Sequence, residues 1–124
     1  MSINRYRLQS MQSAQCHVVI ATDEHDCVVS ASLVSYQTTV CKIYYSGAFV
    51  RMECYGTYSN TTARHINRFT TEFCGENMYH ECKRHVKNGF IQLTVNQTTH
   101  FLCQCRRYLN NTFPAVVRKY FGKY

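Results

Sequence analysis

At Tyr58 the spacing of apolar residues changes from two to about 3.6, and this switch constrains the fold more than any other feature of the chain. Before it, Thr38 to Tyr45 and Ala48 to Tyr58 are rich in β-branched and aromatic residues and are separated by Ser46-Gly47, a two-residue loop that suits a tight hairpin. In the second of these strands Arg51, Glu53, Tyr55 and Thr57 alternate with Val50, Met52, Cys54 and Gly56. One face can therefore enter a core while the other stays wet. After the switch, Ile66, Phe69 and Phe73 recur at helical spacing behind Ser59, Asn60 and Thr61, any of which can satisfy the free amides of a first turn. The pattern predicts a helix over 61–74, stopped by Gly75 at a C-cap position.

The remaining segments fall around this junction. Met1 to Gln12, with Tyr6 and Leu8 as its main apolar anchors, reads as an arm, ordered or frayed. Cys16 to Ala21 and Cys27 to Tyr36 read as strands flanking the acidic loop Thr22 to Asp26. Tyr79, Cys82 and Val86 suggest a second helix ending at Asn88-Gly89, and Phe90 to Val95 alternates as a strand. His100 to Leu109 fits a helix, and Pro114 with Val116, Val117, Tyr120 and Phe121 fits a short C-terminal one. The expectation is an α+β fold: one domain over residues 1–124, with an antiparallel sheet of about four to five strands and helices packed on one face.

Composition supports a packed core, at 45% apolar and 17% charged. No segment approaches a membrane span, and the N-terminus lacks the apolar stretch of a secretory signal, so a soluble intracellular protein is expected. Fourteen Lys plus Arg against seven Asp plus Glu give a net charge of +7. Such a field favours polyanions, whether nucleic acid or an acidic protein surface. From Lys83 onward the chain has eight cations and no acid.

Eight cysteines admit three readings. An even count, with sequons at Asn60, Asn96 and Asn110, would suit a secreted disulfide-bonded interaction domain. His80, Cys82 and His85, or His100, Cys103 and Cys105 with Cys74 nearby, have zinc-ligand chemistry, yet no Cys-x-x-Cys knuckle occurs. The third reading is that free thiols serve as small apolar core residues, best fitted by Cys41 and Cys54. No cofactor and no metal is expected.

Catalysis lacks a signature. Cys82 and His85 share a helix face but seldom reach hydrogen-bonding geometry from that spacing, acids are scarce for paired-carboxylate hydrolysis, and no Gly-rich phosphate loop occurs. The chain is read as a non-enzymatic binding protein. Its candidate contact residues are Arg64, His65 and Arg68 on the first helix, Lys83, Arg84 and Lys87 on the second, and the pairs Arg106-Arg107 and Arg118-Lys119. Tyr55 and Tyr58 belong with them, since tyrosines among cations can stack on unpaired bases.

Ser35-Tyr36-Gln37-Thr38-Thr39-Val40-Cys41-Lys42-Ile43, followed by Tyr58-Ser59-x-Thr61-Thr62-x-x-His65-x-x-x-Phe69, resembles an uncharacterised domain family of phages and other bacterial mobile elements. The likeness covers roughly residues 34 to 73. It implies a small protein in a reducing bacterial cytoplasm, where thiols stay free and sequons are accidental. By analogy with small basic proteins of such elements, the expected function is binding to host machinery, a host protein or nucleoprotein complex, as an anti-CRISPR-like inhibitor of nucleic-acid-guided defence. A small nucleic-acid-binding protein in direct contact with DNA or RNA is the further alternative.

Overall fold

The structure is a computed structural model that describes residues 1–11, 13–56, 59–86 and 89–110. Six strands, β1 (Ser2–Arg7), β2 (Cys16–Thr22), β3 (Val28–Ser35), β4 (Thr38–Ser46), β5 (Phe49–Cys54) and β6 (Phe90–Gln92), pair antiparallel in chain order. Between β5 and β6 run α1 (Asn60–Cys74) and α2 (Tyr79–His85), and α3 (Val95–Asn110) follows β6. This is the expected α+β class, with six strands rather than four or five.

Strand register sorts the side chains into two faces. One row runs Asn4, Ile20, Ala31, Ile43, Met52 and Ile91, and the next runs Tyr6, Val18, Leu33, Cys41 and Cys54. From β2 to β5 these residues are buried, and the helices pack against them. The opposite face carries the alternate residues and stays part exposed over most of its width.

Met1 to Gln12 was expected as an arm, and Ser2–Arg7 within it is the edge strand β1 instead. An edge strand needs only one partner and one inward face, and Tyr6 supplies the apolar contact by meeting Tyr108 edge-on at 5.4 Å. Gly47 takes φ +64° in the β4–β5 turn, as its place in the hairpin requires. The strand expected over Phe90 to Val95 ends at Gln92. Thr94 and Gln97 form a reciprocal capping box there, with Thr94 N donating to Gln97 Oε1 at 2.9 Å and Gln97 N to Thr94 Oγ1 at 3.1 Å. The box starts α3 five residues before the expected helix. The C-terminal helix expected after Pro114 lies outside the described residues.

Helix α1 buries Thr62, His65, Ile66, Phe69, Thr70, Phe73 and Cys74 along one stripe. Ser59 caps it by accepting from Thr62 N at 3.3 Å, and Gly75 ends it at φ +83° with its amide on Thr71 O. Phe73 joins α1 to α3, stacked on Tyr108 at 5.3 Å and tilted against Phe101 at 6.4 Å. Glu72 accepts from Tyr108 Oη at 2.7 Å, from Gln104 Nε2 at 3.0 Å and from Ser10 N at 2.8 Å, so one carboxylate ties α1, α3 and the β1–β2 loop together. Among the described residues no helix is long and apolar enough to cross a membrane.

Candidate nucleic-acid interface

The face of the sheet away from the helices is a cationic surface. Across it one row reads Arg5, Val19, Ser32, Lys42, Glu53, Phe90, and the adjacent row reads Ile3, Ala21, Ser30, Tyr44, Arg51, Gln92. Beyond the first row lie Arg7, His17 and Val34. These rows hold four permanent cations and one acid. The Arg51 guanidinium lies 3.9 Å over the Phe90 ring, and Lys42 Nζ is 5.8 Å from the Tyr44 ring. Burial, followed by hydrogen bonding to Glu53, holds the Tyr44 hydroxyl above its usual pKa, so the single acid is already engaged by a neighbour. Arg51 Nη1 donates to Ser46 Oγ at 3.0 Å. Its Nε is buried and, among the described residues, has no partner.

The contact residues expected from the sequence divide differently. Arg64 and Arg68 are exposed on α1, one turn apart, and Lys83 and Arg84 are exposed on α2, where Arg84 Nη2 lies 3.9 Å from Glu81 Oε1. Arg107 is exposed in the last turn of α3. Arg106 instead pins α3 to the β2–β3 turn by donating to Asp26 O at 3.1 Å and lying 3.6 Å from its carboxylate. Tyr55 is 46% exposed just after β5, and burial first, with Glu53 second, pushes its hydroxyl up to about 12. Tyr58, Lys87, Arg118 and Lys119 lie outside the described residues. The helices thus carry a second set of cations, separate from the sheet-face rows.

His65 belongs to neither surface, which corrects its place among the contact residues. It is 2% exposed, and its Nδ1 lies 2.7 Å from Ser35 Oγ, which in turn lies 3.0 Å from Thr62 Oγ1. Ser59 Oγ donates to Thr62 Oγ1 at 3.4 Å, and the Tyr36 ring tilts against the imidazole at 6.0 Å. Ser35 and His65 meet as a nucleophile and a base would. Both are buried, however, so the pair faces packed side chains rather than a cleft. It is a polar lock between the β3–β4 turn and α1. An open groove of about 750 Å³ beside α3, lined among others by Val29, Tyr45, Leu102 and Arg106, has no histidine among its described lining residues.

All eight cysteines are free thiols, and six of them are buried. Among the described residues, those placed to hold a metal together are Cys41, Cys54 and Cys82, whose sulfurs lie within 4.8 Å of one another. This set differs from both histidine-containing groups suggested by spacing, and shares only Cys82 with them.

Sequence reasoning missed Arg5, Arg7, Lys42 and Phe90. The alternation of Arg51 and Glu53 on the wet side of β5 was the available signal, and register across six strands was needed to extend it. No curated protein and no solved structure matches the chain. A family model matches residues 6–88, a span that includes the Ser35–His65 lock and the three clustered thiols. That span is about two thirds of the sequence, and the chain belongs to this family, DUF8033, a family of unknown function.

Proposed function

We propose that this is a non-catalytic protein that binds single-stranded nucleic acid on the uncovered face of its sheet. The observation that carries the reading is the makeup of that face: Arg5, Arg7, Lys42 and Arg51 against Glu53 alone, with Tyr44 and Phe90 beside the cations. An antiparallel sheet of six strands spreads these groups over a broad, twisted surface. Phosphates are drawn by the charge, and unpaired bases can stack on the rings. The Arg51 guanidinium, 3.9 Å over the Phe90 ring, puts charge and aromatic surface side by side.

The resemblance to phage and mobile-element domains adds a setting. There, the protein would act on a nucleic-acid-guided defence system by occupying its guide or displaced strand. The exposed cations Arg64, Arg68, Lys83 and Arg107 would face a host protein.

Fluorescence anisotropy with labelled single-stranded DNA and RNA tests the reading. If about four phosphates are neutralised, affinity should fall roughly 50-fold between about 50 and 200 mM salt, because single-strand binding loses close to 0.7 counterions per contact. Binding to a host protein that is insensitive to salt, with none to either nucleic acid, would transfer function to the helical surface.

A further inference from the structure

We propose that Cys41, Cys54 and Cys82 form a binding site for one zinc ion. Two of the donors come from the sheet. Cys41 and Cys54 face each other across β4 and β5, and the flanking bond from Tyr55 N to Val40 O at 3.2 Å marks them as a non-hydrogen-bonded pair, the kind whose side chains approach most closely. The third comes from α2, which packs on β5 and β6 and turns Cys82 inward.

The geometry suits the ion. Tetrahedral zinc with bonds of about 2.3 Å sets its sulfurs roughly 3.8 Å apart. The three sulfurs already lie within 4.8 Å of one another, so each has to move by about 1 Å or less, which small side-chain rotations supply.

Binding replaces three S–H bonds by three Zn–S bonds and releases three protons to solvent. The complex of one Zn(II) with three thiolates carries a single negative charge, far less than three bare thiolates would bring into an apolar pocket. The ion also answers a local need. Helix α2 has only seven residues and no side-chain cap, too short to hold itself, and a metal bond would fasten it to the hairpin.

The test uses the whole protein, purified under reductant without chelator, and native mass spectrometry with zinc(II) as the probe. One zinc per chain is expected, together with the strong thiolate charge-transfer absorption of a tetrahedral site when cobalt(II) replaces it. Cys82→Ser and Cys54→Ser should weaken zinc binding at least 100-fold, while Cys103→Ser, at an exposed position, should retain it. Alkylation of the wild-type protein guards against variants that fail to fold. Cys41, Cys54 and Cys82 should be shielded with zinc and become reactive after chelation, while Cys16 and Cys105, equally buried, stay shielded in both states. The proposal is overturned if no zinc is retained, if a Cys41–Cys54 disulfide forms in the reduced preparation, or if chelation leaves the alkylation pattern unchanged.

Discussion

Ser35 Oγ and His65 Nδ1 lie 2.7 Å apart in the interior, joining the end of β3 to the second turn of α1. The bond closes a chain of polar side chains that begins at the Ser59 cap. Removing the hydroxyl with Ser35→Ala strands an imidazole nitrogen and leaves the Thr62 hydroxyl with only its long contact to Ser59 Oγ. A loss of about 1–3 kcal/mol is expected, read as a lower urea midpoint with unchanged slope.

The same histidine makes stability depend on pH. Burial, and secondarily the charge of Arg64, holds its pKa below the usual value. The unfolded chain therefore takes up this proton first as pH falls through about 6.5. Its contribution is full above that point and declines as pH drops towards the folded value. Thermal melts of wild type and His65→Gln between about pH 8 and pH 5 should converge on acidification, and curves that stay parallel would remove His65 as the cause.

Among the described residues, Tyr108 should carry a hydroxyl whose loss is costly. It is 1% exposed, donates to Glu72 at 2.7 Å and accepts from Gln9 N at 2.8 Å. Burial, with Glu72 next in weight, keeps it protonated far above the usual tyrosine range. Tyr108→Phe keeps the ring stacked on Phe73 while leaving a backbone amide without its acceptor. Denaturant unfolding should register about 1–3 kcal/mol for the hydroxyl alone.

Gly75→Ala should destabilise for two separable reasons. The residue sits at φ +83°, and an added Cβ would come within 3.2 Å of His100 Nδ1. Backbone strain of this kind costs about 1–3 kcal/mol. Repeating the substitution in a His100→Ala background should recover only the contact share, so a complete recovery would show the backbone to be unstrained.

Arg51→Ala distinguishes the two cationic surfaces. It should weaken single-strand binding and lower the salt slope by about 0.7, as the loss of one phosphate contact requires. Arg68→Ala, on the outer side of α1, should change neither. The reverse pattern would place the nucleic acid on the helices.

Much of this fold was legible because its strongest signals are local. Gly47-Ala48 turns the central hairpin, one residue on from the expected Ser46-Gly47, while Ser59 starts α1 and Gly75 stops it, each within a few residues of the feature it controls. Strand β1 was illegible for the opposite reason: an edge strand with one apolar contact scarcely differs in composition from a polar arm. Metal spacing rules failed similarly at Cys41 and Cys54. They recognise ligands that a short knuckle brings together, whereas a hairpin register joined this pair and a helix about 30 residues on delivered Cys82. The sheet face was half visible, since Arg51 and Glu53 announced a wet surface whose extent depended on pairings out to Arg5.

The uninterrupted order of the strands bears on how the molecule is made. Each of the first five needs only its immediate neighbour, so a chain emerging from the ribosome can zip them in sequence, with short loops and little entropy to overcome. The late step is different in kind. Tyr108 must return to Gln9 across 99 residues, and until it does the inner apolar rows lack the cover of α3. Synthesis therefore produces an almost finished sheet whose sticky side is the last part to be hidden.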